Sequence, residues 1–175
     1  MVKRALVTGG AGFIGSALVR RLLDEGVAVR VLDDLSSGRR ENLAGLEGLL
    51  RFHRGDVREV QGITDATRGV DAVFHLAAVA SVQQSIRDPL RTHGVNVGGT
   101  LAVLEAARVA GVPRVILACS AAAYGTNPAL PLSEAAPAAP ISPYGLHKHM
   151  CEQLGALYTA ERGLDVVALR FFNVY

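Results

Sequence analysis

Tyr144 and Lys148 stand four residues apart in SPYGLHKHMCEQL, residues 142–154, at the start of a stretch that reads as a helix. A phenol, with an ordinary pKa of about 10, is a poor base at neutral pH unless a cation stabilises its phenolate. Lys148 lies one helical turn on and is placed to be that cation. The pair alone is a weak signal, because a Tyr and a Lys at this spacing also make an ordinary solvated helix edge. Ser120 strengthens it: ending the run RVILACS (114–120), it brings a hydroxyl able to hydrogen-bond and orient a reacting oxygen. Three such groups at the carboxyl edge of a parallel sheet would do general acid/base work where ligands of such sheets bind.

A second constellation sits near the N-terminus. LVTGGAGFIGS (6–16) holds Gly9, Gly12 and Gly15 at three-residue intervals between a strand and a helix. Gly9 permits the tight turn, Gly12 admits a pyrophosphate close to the backbone, and Gly15 lets the helix pack on the strand. The anion then meets free N–H groups and the positive end of the helix dipole. Asp33 ends the next strand, about 20 residues on, where a carboxylate accepts hydrogen bonds from the adenosine ribose hydroxyls. A carboxylate there repels a 2′-phosphate, and Asp34 adds to the repulsion, so NAD is favoured over NADP. Arg39 and Arg40 could attract such a phosphate but lie several residues beyond the strand. Asp56, in GDV, is placed either to meet the adenine amino group or to cap the following helix.

Those residues need a scaffold that gathers strand ends on one edge. Six apolar runs read as strands: KRALVTG (3–9), AVRVLD (28–33), LRFHRGD (50–56), AVFHLAA (72–78), RVILACS (114–120) and DVVALRFF (165–172). Several are apolar throughout, as parallel strands covered on both faces are, and they alternate with segments of helical period. The expected fold is therefore α/β, a Rossmann-type doubly wound parallel sheet with helices on both faces, in one domain over residues 1–175. Phe13, Ile14, Ala17, Leu18, Leu22 and Leu23 recur at helical spacing, with Gly26 placed to end that helix. A second helix is read over 95–110 and a third over 144–160. The segment 126–143 holds five of the seven prolines and reads as an ordered loop over the sheet. No internal repeat is visible.

Composition excludes several functions. The net charge of +2 is spread along the chain without a basic run, so no nucleic-acid partner is expected. No apolar run approaches the roughly 20 residues of a membrane span, and no signal-peptide core precedes the first strand, which makes the cytoplasm the expected compartment. Cys119 and Cys151 lack metal-ligand spacing and read as buried thiols. His147 and His149 diverge on a helix, cannot readily share a metal, and are expected at the surface. His75 reads as a packed, hydrogen-bonded residue. No metal site is expected.

TGGAGFIGS, LDDLSSGRREN, GDVRE, HLAAVASVQQS, NVGGTLAVLEAAR, CSAAAYG, SPYGLHK and LRFFNVY follow one another along all 175 residues. In that order the chain resembles the extended short-chain dehydrogenase/reductase family, and within it the NAD-dependent epimerase/dehydratase group typified by UDP-glucose 4-epimerase. The resemblance implies that Gly9, Gly12, Phe13, Ile14 and Gly15 form the cofactor loop, with Asp33 on the ribose and Asp56 and Val57 at the adenine. It implies that Leu76, Ala77 and Ala78 line the phosphate and ribose side and that Asn96 supports the backbone there. Ser120, Tyr144 and Lys148 match the catalytic three, and Asn173 matches a contact to the sugar nucleotide.

The implied substrate is a UDP-sugar or related nucleotide sugar. Tyr144 would remove the 4′-hydroxyl proton while hydride passes from C4′ to NAD⁺, and the 4-keto sugar would turn over and take the hydride back on its other face. Dehydratases of the group carry an Asp-Glu pair after the catalytic Ser/Thr; Ala121 and Ala122 stand here, which disfavours dehydration. Cys119 stands where a serine is common. By that resemblance no part of the family's smaller C-terminal substrate domain is expected within residues 1–175, and its members often form homodimers through a four-helix bundle of the helices near 95–110 and 144–160. A non-catalytic NAD-binding module and an NAD(P)-dependent sugar-nucleotide reductase or dehydratase remain the alternatives.

Overall fold

The computed structural model describes residues 1–127 and 130–175. Its six strands are β1 (Arg4–Thr8), β2 (Ala28–Asp33), β3 (Leu50–Arg54), β4 (Ala72–His75), β5 (Arg114–Ser120) and β6 (Asp165–Phe171). All pair in parallel, in the order β3-β2-β1-β4-β5-β6. The chain builds outward from β1 to β3 and then returns to lay β4 on the other side of β1. That reversal between β1 and β4 opens a crevice at the carboxyl edge, where Thr8 is in register with Leu32 on one side and His75 on the other.

Alternate residues of the central strands feed two cores. Leu6, Leu32, Val73 and Leu117 join Ile63, Leu104 and Tyr158 on one face, and Ala5, Val7 and Val31 join Val19, Leu22 and Leu43 on the other. Each fully buried Val or Leu stabilises the fold by about 1.5–3 kcal/mol, which is why these strands are apolar on both faces.

Helix α1 (Phe13–Asp24) ends as expected at Gly26, whose N–H donates to the Leu23 carbonyl at 2.9 Å in a left-handed turn, φ +75°. Three short helices follow, α2 (Val60–Thr67), α3 (Val82–Arg87) and α4 (Pro89–His93). A π-helical turn over Gly94–Gly98 then leads directly into α5 (Gly99–Val109), so the helix expected from residue 95 belongs to a longer run starting at Pro89. Gly94, Gly98 and Gly99 interrupt the apolar period at the turn and hide that continuity. Helix α6 (Pro143–Arg162) carries the expected 144–160 segment, capped by the Ser142 hydroxyl and closed by Gly163.

Between Gly125 and Pro143 the described residues form neither helix nor strand, and Ala139 N–H donates back to the Ala123 carbonyl at 3.0 Å. Pro128, part of the expected proline-rich loop, lies outside the described residues. Among the described residues no helix is long and apolar enough to cross a membrane.

Candidate active site

A cleft of about 710 Å³ runs along the carboxyl edge, from the turn after β1 to Asn173 beyond β6. Gly9 takes φ +71°, and a Cβ on it would come within 2.7 Å of the Ala77 nitrogen; a Cβ on Gly15 would fall on the Gly9 carbonyl oxygen. Only glycine fits either place. Gly12 occupies the N-cap of α1 with no side-chain cap, and Phe13, Ile14 and Gly15 of the first turn line the cleft. The result is a backbone cradle at a helix N-terminus with its N–H groups left for an anion, which fits a dinucleotide's phosphates.

The end of the cleft at Asp33 is fastened largely by main chain. Asp33, 7% exposed, accepts hydrogen bonds from Ala11 N–H and Leu35 N–H, both 2.9 Å. Leu35 reaches it from a left-handed backbone, φ +62°, a conformation few non-glycine residues adopt. A carboxylate offers about four lone-pair sites, so Asp33 keeps acceptor capacity toward the cleft. The Ala11 carbonyl accepts from Arg39 N–H at 3.0 Å and from Asn42 Nδ2 at 2.8 Å, which holds residues 38–42 against the glycine loop. Gly38 is a residue the sequence did not announce: a Cβ there would stand 2.9 Å from Ala11 and 3.0 Å from the Asp33 carboxylate. Asp34 lines the cleft, and Arg40 lies over the Phe52 ring at 4.2 Å. Neither Arg39 nor Arg40 reaches the cleft.

Asp56 also lines the cleft, but Arg58 occupies it. The Arg58 N–H donates to Oδ1 at 2.9 Å and the guanidinium to Oδ2 at 2.5 Å, and this holds the carboxyl below the usual carboxylate range against the opposing effect of burial. Glu59, not Asp56, takes the N-cap of α2. Leu76, Ala77 and Ala78 line the cleft, and so does Val57. Asn96 does not reach it: buried in the π-helical turn, it accepts from Val79 N–H at 2.8 Å and donates to the Val79 carbonyl at 3.1 Å, so it holds the wall from behind.

At the other end Ser120, Tyr144 and Lys148 share the cleft with Asn173. Lys148, 8% exposed, donates to the Ala118 carbonyl at 2.6 Å, and its Nζ lies 5.9 Å from the centre of the Tyr144 ring. Ser120 Oγ accepts from Ala122 N–H at 3.1 Å and keeps its own hydrogen to give. Tyr144 N–H donates at 3.1 Å to Oγ of Ser85, a buried residue of α3 that pins the start of α6. Nothing in ASVQQS singles Ser85 out; only the docking of α3 on α6 gives it a role. Burial, with the Lys148 ammonium adding to it, lowers the pKa of His75 to about 3. Burial pushes the Cys119 thiol up to about 12 and raises that of Cys151, so both cysteines are the buried thiols expected.

The two histidines of the motif depart from expectation. His147 is 5% exposed, with its ring edge on His93 at 5.2 Å between centroids, and burial followed by the His93 charge lowers its pKa. His149 is half-buried, its Nδ1 3.3 Å from Glu152, which Arg170 grips through two 2.8 Å bonds. Helix α6 is flanked by β5 and β6 and also by α3 and α4, so positions two apart both meet neighbours. Among the described residues no group of three or more His, Cys, Asp or Glu could hold a metal.

A family model described as NAD dependent epimerase/dehydratase matches residues 5–175. A UDP-glucose 4-epimerase of Streptomyces lividans is 40% identical over 99% of this chain and 53% of its own length. Among solved structures, a UDP-N-acetylglucosamine 4-epimerase of Methanobrevibacter ruminantium in complex with UDP-N-acetylmuramic acid superposes with TM-score 0.95 at 40% identity, covering 99% of this chain and 56% of that one. A UDP-glucose 4-epimerase of Thermus thermophilus in complex with NAD gives TM-score 0.92 at 42% identity, covering 98% and 56%. The chain thus spans about half the length of the relatives it matches.

Proposed function

Since the chain belongs to the NAD-dependent epimerase/dehydratase family, we propose that it is the cofactor-binding and catalytic half of a UDP-glucose 4-epimerase-type isomerase, with NAD as cofactor and a UDP-sugar or related nucleotide sugar as substrate. The observation that carries this is one cleft lined at one end by a backbone phosphate cradle and Asp33 and at the other by Ser120, Tyr144 and Lys148.

Each group has a part. The first turn of α1 would hold the pyrophosphate and Asp33 the adenosine ribose, with Asp56 and Val57 toward the adenine. When bound, NAD would supply the hydride acceptor, and later donor, for C4′ of the sugar. Ser120 would donate its free hydrogen to the 4′-oxygen, and Tyr144 would take the proton from that hydroxyl and return it. Lys148 would stabilise the phenolate; Ala118 takes one of its three hydrogens and two remain. Ala121 and Ala122 line the cleft beside Ser120 with methyl groups, so no acid stands there to expel a second hydroxyl, which favours epimerisation over dehydration. Asn173, which lines the same cleft, would meet the sugar nucleotide.

Leu101 and Val109 of α5 and Leu157 of α6 are exposed, and these neighbouring helices would pair with a second copy as a four-helix bundle. The proposed compartment is the cytoplasm, where the two buried thiols stay reduced.

The test is a titration of the chain with NADH and NADPH, followed by addition of NAD and UDP-galactose with detection of UDP-glucose and of absorbance at 340 nm. Tighter binding of NADH and detectable turnover are expected. Binding without turnover or NAD reduction would leave a non-catalytic NAD-binding module, and tighter NADPH binding would mark a reductase.

A further inference from the structure

His75 is the central member of a buried chain of hydrogen bonds that the proposed chemistry does not use. Its Nδ1 lies 2.7 Å from Thr8 Oγ1 on β1, and its Nε2 lies 3.0 Å from Thr100 Oγ1 on α5. Thr100 gives its one hydroxyl hydrogen to the Asn96 carbonyl at 2.6 Å, since a carbonyl can only accept. Toward His75 the Thr100 oxygen must therefore accept, which places the ring proton on Nε2. Nδ1 is then the acceptor, and Thr8 donates to it while accepting from Ala77 N–H at 3.3 Å.

The chain thus has one direction throughout, from Ala77 N–H through Thr8, His75 and Thr100 to Asn96. Both ends act on the cleft wall, because Ala77 lines the cleft and the Asn96 side chain clamps Val79, which also lines it. Helix α6 joins through Cys151, whose S–H is shared between the Asn96 carbonyl at 3.2 Å and Thr100 Oγ1 at 3.3 Å. Cys151 follows Lys148 by three residues, so it lies on the same helical face.

We propose that His75 is a positioning residue: held as the Nε2–H tautomer, it fixes the 77–79 wall of the cleft to the helix that carries Tyr144 and Lys148. Thr8, Thr100, Asn96 and Cys151 are all buried, so a break at one link leaves a polar group without a partner in the interior and the strain passes along the chain. The cofactor arm of this inference rests on the function proposed above; the tautomer and the tie to Ala77 do not.

The experiment compares the chain with Thr100→Val, which removes the acceptor for Nε2–H at constant shape, and with the conservative Thr100→Ser. Long-range proton–nitrogen NMR at neutral pH should show His75 as Nε2–H in the parent and in Thr100→Ser, and a changed or mixed tautomer in Thr100→Val. Amide exchange of Ala77 should rise about tenfold in Thr100→Val relative to Val31 on β2, and stay at the parent value in Thr100→Ser. NAD affinity, in the same three proteins, should fall about tenfold for Thr100→Val alone, a loss of about 1.4 kcal/mol. An Nδ1–H or doubly protonated ring in the parent overturns the assignment. Exchange that is unchanged, or that rises uniformly across the sheet, overturns the positioning role, as does NAD affinity equal in parent and Thr100→Val. If none of the three binds NAD, the proposed function fails, while the tautomer and exchange results still decide the inference.

Discussion

The two ends of the cleft are held by different means. At the Asp33 end, Asp33 is gripped by two backbone amides, and Ala11 is bonded in turn to Arg39 and Asn42, all within residues 6–42. At the Tyr144 end, groups from distant segments meet: Tyr144 leans on Ser85, Lys148 on the Ala118 carbonyl and Arg170 on Glu152. The first end is a property of the backbone and hence of the folding of β1, α1 and β2. The second depends on how α6 docks. A lesion in the first should cost binding and stability together, and a lesion in the second should cost chemistry while the fold survives.

The largest expected effect tests the second half of that statement. Tyr144→Phe removes only a hydroxyl, so NAD reduction by a UDP-sugar or epimerisation should fall about 10²–10⁴-fold. Unfolding free energy should stay within about 0.5 kcal/mol, as for a substitution that breaks no packing. Gly15→Ala tests the first half: its methyl would land on the Gly9 carbonyl, so destabilisation of about 1–3 kcal/mol and loss of NAD binding are expected together. Loss of stability in Tyr144→Phe, or a stable Gly15→Ala that still binds NAD, would break the comparison.

The same contrast explains what the sequence disclosed. β1, α1 and β2 were legible because local glycine spacing and strand alternation reflect the physics that fixes them. All six strands were found, β2 and β5 with the observed bounds and the other four with ends extended by one to three residues, in β4 because the apolar run continues into the cleft wall at 76–78. The short helices α3 and α4 were not, since the apolar residues of SVQQSIRDPLRTHG, Val82, Ile86 and Leu90, are exposed and mark no buried face, and the helices are held by caps from Ser81 and Asp88 and by docking on α6. For the same reason Ser85 was missed and His147 was expected in solvent. Leu35 escaped notice because its left-handed backbone is imposed by Asp33 and not by a glycine.

The junction between the ends has its own signature in acid. The pKa of His75 is about 3 in the folded chain against 6.5 for a free imidazole, so as pH falls the unfolded chain takes up the proton first. Stability is full above about pH 6.5 and is lost on acidification through the window down to about pH 3, with a limiting slope of about 1.4 kcal/mol per unit. His147, also lowered, acts with the same sign. Urea unfolding at pH 7 and pH 5 should differ by about 2 kcal/mol from His75 alone. Equal stability at the two pH values would mean that the imidazole is charged or solvated and that the two ends are not joined through it.

The smallest effect concerns the place where the Asp33 end borrows the other end's construction. Asp56, unlike Asp33, is held by a side chain, and in the ion pair Arg58 is 49% and Asp56 18% exposed. Such pairs contribute about 0–1 kcal/mol. The lowered pKa of Asp56 means that this contribution is present above its unfolded value of 3.8 and is lost as pH falls through the lower folded value. Arg58→Ala should therefore cost under about 1 kcal/mol at pH 7 and nothing in strong acid. Binding should move the other way. Arg58 now donates to both oxygens of the Asp56 carboxylate, so an adenine amino group must compete for it. Removing the guanidinium should tighten NAD by about two- to threefold, a gain of about 0.4–0.7 kcal/mol, with Arg58→Lys in between. A loss of tenfold or more would show that Arg58 itself grips the nucleotide, and the Asp33 end would then be built partly on a distant side-chain grip, as the Tyr144 end is.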